Sequence, residues 1–333
     1  MPFLRLLLLT ALGLLATLAQ AAGFSTIEVP ADAQGPALHG AVWTPCGTPD
    51  GQIKLGRAVI PGVQGCPVAG AQLPLIVLSH GYGGSFLGHH DTAEALANAG
   101  FVVAAIGHSN DNHLIRGGPN DRVLALATRT TDIKRLIDYM LQQWPARTAL
   151  AADRIGFFGF SRGGYTGLVL AGAQPDFERL PPLPGSPCAS APESPACGQM
   201  RQSFRELLAA PLAHDARIRA AVIADPLSMV FDAEGLKNVT IPIQLWASEQ
   251  GGDGVLPKHV DAVRRGLPSP PDYRVQPGSA HFAFLAPCSA AQTAAVPDIC
   301  KDAPGFDRAA FHDKLNAEVL AFLRAQLVQT PRP

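Results

Sequence analysis

The pentapeptide Gly159-Phe160-Ser161-Arg162-Gly163 sets one hydroxyl between two glycines, directly after the apolar run of DRIGFFGF and directly before RGGYTGLVLAGA. A serine so placed is a candidate nucleophile. An abrupt strand-to-helix turn strains the backbone and projects the hydroxyl outward, and glycines on either side remove the side chains that would clash there. The pattern also arises by chance as an ordinary turn, and it is the expected strand before it and helix after it that favour the nucleophile. A serine hydroxyl reacts poorly until a base takes its proton, so a histidine is needed. Ten histidines compete. His281, in PGSAHFAFL, lies past the last expected strand and follows the serine, as the chain order nucleophile, acid, histidine requires. His80, His89, His90, His108 and His113 all precede the serine and read as structural or surface residues. The HHD run at His89 to Asp91 lacks a third ligand at a metal-binding spacing.

A carboxylate must then fix the histidine tautomer and stabilise the imidazolium. Three fit. Asp253, in the glycine-rich SEQGGDGVLP, ranks first; Asp225, at the end of AVIADPL, ranks second; Glu249 ranks third. Their plainer roles are an Asp-Pro turn for Asp225 and a solvated loop charge for Glu249. As the hydroxyl adds to a carbonyl, charge grows on oxygen and needs fixed donors. The backbone N–H groups of Arg162, just after the nucleophile, and of Tyr82, in SHGYGG, are expected to supply them, with the surrounding glycines permitting close backbone approach.

The elements that must carry these groups alternate. LPLIVLSHG, FVVAAIGHS, DRIGFFGF, IRAAVIAD, IPIQLWAS and YRVQPG read as strands, and STIEVP and ALHGAVWTP as edge strands before them. Helices are expected in FLGHHDTAEALANAG, from Asp121 to Trp144, in RGGYTGLVLAGA, in PKHVDAVRRGL and from about Asp307 to Leu327. Strands apolar along their whole length, alternating with helices, mean an α/β protein with a mostly parallel sheet covered on both faces. In such a sheet ligands bind past the carboxyl ends of the strands, where Ser161, His80-Gly81, Asp253 and His281 all fall. The proline-rich stretch 174–215 interrupts the alternation and is expected to be a surface cap, either a lid or a passive loop.

Together VLSHGYGG, GFSRGGYTG, DGVLP and GSAHF resemble the α/β-hydrolase superfamily over about Leu73 to His281. Within it they look like the secreted dienelactone-hydrolase-like and platelet-activating-factor-acetylhydrolase-like esterases, and more distantly the cutinase-type polyester hydrolases. The resemblance implies an α/β-hydrolase fold, Ser161 as nucleophile, His281 as base, and Tyr82 and Arg162 as oxyanion donors. It divides on the acid: the acetylhydrolase relatives favour Asp225, whereas most of the superfamily favours Asp253. True dienelactone hydrolases carry a cysteine nucleophile where this chain has serine.

Export is expected from the first residues. Arg5, the apolar run Leu6 to Leu18 and the small residues Ala19 and Ala21 form a signal peptide over 1–21, the run being shorter than the roughly 20 residues that span a bilayer. The mature chain, 22–333, is then one α/β-hydrolase domain, secreted or periplasmic, with no stable membrane anchor. In an oxidising compartment the six cysteines pair, most simply with their neighbours: Cys46 with Cys66, Cys188 with Cys197, Cys288 with Cys300. Lys plus Arg at 26 nearly balances Asp plus Glu at 27, which argues against nucleic acid as a partner. The expected activity is hydrolysis of a small or lipid-like carboxylic ester through an acyl-enzyme, without a cofactor. Acyl transfer or amide hydrolysis on the same triad, and a non-catalytic binding protein of the same fold, are the alternatives.

Overall fold

The computed structural model describes residues 22–48, 51–55, 58–114, 121–182, 186–207 and 211–329; the expected signal peptide lies outside them. The strands are β1 (Gly23–Val29), β2 (Leu38–Thr44), β3 (Gln52–Leu55), β4 (Ala58–Pro61), β5 (Val63–Gln64), β6 (Leu73–Ser79), β7 (Val102–Ile106), β8 (Leu150–Phe160), β9 (Ile218–Ala224), β10 (Ile243–Ser248) and β11 (Asp272–Gln276). The helices are α1 (His90–Asn98), α2 (Asp121–Gln142), α3 (Arg162–Leu170), α4 (Pro187–Ser190), α5 (Pro195–Leu207), α6 (Ala233–Leu236), α7 (Pro257–Gly266), α8 (Ala290–Ala295), α9 (Pro297–Cys300) and α10 (Arg308–Arg324).

Nine strands form one sheet in the order β11-β10-β9-β8-β6-β7-β2-β1-β5. From β7 to β11 every neighbouring pair is parallel, whereas β2 runs antiparallel to both β7 and β1. Strands β6, β7 and β10 are buried along their whole length, which is why they read as continuous apolar runs rather than as alternation. Because successive side chains point to opposite faces, β6 feeds two cores. Leu75 and Val77 pack with Ile133, Leu136 and Met140 of α2, Leu168 of α3 and Val263 of α7. Ile76 and Leu78 pack with Leu96 of α1 and with Phe311, Leu315 and Val319 of α10.

One expectation is corrected. The strand in ALHGAVWTP is not an edge: β2 lies between β7 and β1, and all of it but His39 is buried. The short β5 and the half-exposed β11 close the sheet instead. Stretch 174–215 carries no described strand, but holds α4 and α5 with the bond Cys188–Cys197, while Phe177 and Leu180 pack on the α2, α3 and α7 side of the sheet. Cys46–Cys66 and Cys288–Cys300 are also bonded, so all six cysteines pair with their neighbours, as fits an oxidising compartment. No described helix is long and apolar enough to cross a membrane.

Candidate active site

Strand β8 ends at Phe160 and α3 begins at Arg162, leaving Ser161 alone to turn the chain. Its φ of 56° and ψ of −115° are unusual for a residue with a Cβ, a strain of about 1–3 kcal/mol that the surroundings must hold. They do so by close packing. A Cβ on Gly163 would lie 1.9 Å from the Ser79 carbonyl oxygen, and one on Gly159 would lie 2.2 Å from the Gly163 carbonyl oxygen. Backbone bonds from Ser161 N to Ala224 O, at 3.0 Å, and from Leu227 N to Ser161 O, at 2.9 Å, tie the turn to the end of β9.

His281 opens a short 3-10 turn after β11, with its imidazole buried. Its N–H donates to Gly251 O at 2.8 Å, and its ring lies 4.6 Å from that of Phe160. Nε2 is 3.0 Å from Ser161 Oγ, and Nδ1 is 2.6 Å from Asp225 Oδ2. An ionised carboxylate only accepts, so Nδ1 carries the proton and the Nε2 of a neutral ring is free to accept the Ser161 hydroxyl. Asp225 is fully buried just past β9. Its Oδ1 accepts from Ser248 N at 2.9 Å and its Oδ2 from Ser248 Oγ at 2.7 Å.

The three carboxylates weighed as partners of His281 therefore separate. Asp225 makes the contact. Asp253, ranked first from the sequence, does not: it is exposed, in a turn closed between Gly252 and Val255. The physical reason lies in the glycines around it. Gly251 O receives the His281 N–H, and a Cβ on Gly252 would stand 3.2 Å from the His281 Cβ, so this loop holds the histidine by its backbone and turns the Asp253 side chain to solvent. Glu249 is also exposed, and its Oε2 accepts the Gly278 N–H at 2.8 Å, fixing the turn before His281.

Tyr82 and Arg162 both adjoin the serine. A Cβ on Gly81 would lie 3.3 Å from the Ser161 Cβ, which brings the Tyr82 segment against the turn. Arg162 is the first residue of α3, where N–H groups have no intrahelical acceptor. Its guanidinium lies 4.1 Å from the centre of the half-exposed Tyr82 ring. Beneath this loop sits a buried Asp111–Arg129 pair that no local spacing announces. Among the described residues no group of three or more His, Cys, Asp or Glu is arranged to hold a metal ion; Asp91 of the HHD run instead pairs with His312, 2.6 Å away.

A cleft of about 570 Å³ is lined by Arg179, Ser228, Met229, Phe231, Leu256 and His259, among others, and by none of Ser161, His281, Tyr82 or Arg162. Two of its lining residues are near the site in sequence: Ser228 follows Leu227, whose N–H bonds Ser161 O, and Leu256 follows Gly251, whose carbonyl accepts the His281 N–H. Ser228 Oγ is buried and has no hydrogen-bond partner among the described residues.

Comparison of the sequence with protein-family models and with curated proteins gave no match. In three dimensions the chain is similar to a ferulic acid esterase from Streptomyces cinnamoneus, with a TM-score of 0.62 over 96% of this chain and 93% of that one, at 19% sequence identity. That likeness, with the mostly parallel sheet, establishes the α/β-hydrolase fold. A fold hosts many chemistries, so function rests on the site itself.

Proposed function

We propose that the chain is an exported serine hydrolase that cleaves carboxylic esters. The observation that carries this reading is the unbroken chain of hydrogen bonds from Ser161 Oγ through His281 to Asp225. Ser161 Oγ attacks the ester carbonyl carbon as its proton passes to His281 Nε2, and the tetrahedral oxyanion is met by the N–H groups of Tyr82 and Arg162. Collapse breaks the bond to the alkoxy oxygen, which takes the proton from His281 and leaves as the alcohol. Water then gives a proton to His281 and attacks the acyl carbon, and Ser161 recovers its proton as the acid departs. Asp225 keeps the imidazole oriented and stabilises its cationic form in both halves.

Met229, Phe231 and Leu256 of the cleft supply apolar surface that would suit one side of the ester. Arg179 of the 174–215 stretch borders that cleft, which supports reading the stretch as a lid. Export is supported by the apolar leader and the three disulfides.

A fluorophosphonate probe tests the reading. Wild type is expected to be labelled on Ser161 and to hydrolyse p-nitrophenyl esters, with Ser161→Ala losing both; a folded wild type that neither labels nor turns over would end the proposal. Because the similar structure is a ferulic acid esterase, ferulic acid esters belong in the panel beside p-nitrophenyl esters of increasing chain length.

A further inference from the structure

We propose that Asp111 is a positioning residue: one buried carboxylate that locks together the two backbone segments whose N–H groups face the oxyanion. The proposal rests on the hydrolase reading above. Asp111 follows β7 and is 3% exposed. Its Oδ1 accepts the Gly83 N–H at 2.7 Å, which fixes the peptide just after Tyr82. Its Oδ2 accepts from Arg162 Nη1 at 3.0 Å, which fixes the residue just after Ser161. The same guanidinium lies against the Tyr82 ring, so the two segments also touch directly.

Arg129 of α2, fully buried, makes the clamp rigid. It donates through Nη1 to Asp111 Oδ2 at 2.7 Å, through Nε to Thr166 Oγ1 at 3.0 Å, and through Nη2 to Ser79 Oγ at 3.2 Å and to the His80 carbonyl oxygen. Thr166 Oγ1 in turn donates to Arg162 O at 2.8 Å. The end of β6 and the start of α3 are thus held by one cation, with Asp111 bridging to the loop above. Burial alone would raise the Asp111 pKa, but the charges of Arg129 and Arg162 and the Gly83 N–H outweigh it and hold the carboxyl below its ordinary value. Below lies a second Ser-His-Asp chain, with Ser79 Oγ 2.8 Å from His108 Nε2 and His108 Nδ1 3.2 Å from Asp132 Oδ2. Ser79 is completely buried, so this chain braces the clamp and meets no substrate.

A clamp on oxyanion donors has a particular kinetic mark: it acts on the transition state and leaves ground-state binding alone. Arg162→Met cuts the side-chain tie while keeping the backbone N–H, and it leaves Asp111 paired with Arg129. For p-nitrophenyl acetate its kcat is expected to fall about 10- to 100-fold, as for groups displaced by an ångström or less, with KM within about threefold. The rate of Ser161 phosphonylation by a fluorophosphonate should fall by the same factor. Asp111→Asn should cost at least as much, and combining it with Arg162→Met should add no more than about a further threefold, since one clamp is lost only once. Arg162→Lys, which restores the charge, should recover part of kcat.

Unchanged kcat and labelling rate in Arg162→Met, or a loss confined to KM, would overturn the proposal. If Asp111→Asn does not fold, Arg162→Met and Arg162→Lys decide alone. A wild type that is labelled on Ser161 yet cleaves no ester would sink the substrate reading, and the labelling rates would still judge the clamp. A wild type that is not labelled sinks both.

Discussion

Asp225 Oδ2 lies 2.6 Å from His281 Nδ1, with both side chains buried, although 56 residues separate them in the chain. Asp225→Asn keeps the shape but forces the wrong tautomer on the imidazole, and should lower kcat about 10⁴-fold. Asp253→Asn alters a solvated side chain, and its kcat should stay within about threefold of wild type, the usual range for an exposed substitution. Steady-state kinetics of the two variants on one ester separates them, and equal losses in both would refute the assignment.

At Gly163 the Ser79 carbonyl oxygen leaves no room for a methyl group. Gly163→Ala should therefore destabilise the fold by about 3 kcal/mol and displace Ser161. Gly198, in α5, has nothing within 4 Å of its would-be Cβ, so Gly198→Ala should be neutral or gain up to about 1 kcal/mol from helix propensity. Urea unfolding of both variants, with activity measured alongside, checks the contrast.

His89 is buried against Phe158 and Phe160. Loss of hydration on burial outweighs the attraction of Asp91 and brings its pKa down to about 4; burial likewise holds His80 and His108 well below the ordinary value. An unfolded histidine titrates near about 6.5, so as pH falls the unfolded chain takes up the proton first. Stability contributed by these neutral rings is full above about pH 6.5 and is lost as pH falls toward 4, by about 3 kcal/mol for His89 alone. The urea midpoint should drop across that window, and His89→Leu should flatten the drop. A slope unchanged by His89→Leu would contradict the assignment.

The bond Cys46–Cys66 closes a loop of sequence separation 20 next to β1. Restricting such a loop in the unfolded chain is worth about 3 kcal/mol. Replacing both cysteines with alanine should lower the unfolding free energy by that order and leave kcat unchanged, since neither residue touches the site.

Much of this was legible in the sequence for specific reasons. Strands buried on both faces must be apolar throughout, so β6, β7 and β10 announced a parallel sheet, and the glycines beside Ser161 announced a turn that excludes a Cβ. The choice of acid was not legible. Asp225 and Asp253 both follow strands in the required order, and which of them faces His281 depends on how the fold sets β9 and β10 beside β11. The edge reading of β2 failed because its neighbours lie on both sides only once β7 pairs with it, across a separation that no local pattern records. Asp111 and Arg129 were invisible for the same reason: charges 18 residues apart, in a loop and a helix, look solvated until the fold buries them together.

Because Asp225, just past β9, is the carboxylate that faces His281 Nδ1, the loop beyond β10 lends no carboxylate to the imidazole. It meets the histidine segment through the Gly251 carbonyl and through Glu249 Oε2 on the Gly278 N–H, which leaves the exposed side chains of Asp253 and Leu256 at liberty to vary while Val255 stays buried in the core. On the hydrolase reading proposed above, changes at Asp253 or Leu256 would retune selectivity without touching the Ser161–His281–Asp225 chain, a division of labour between specificity and proton transfer.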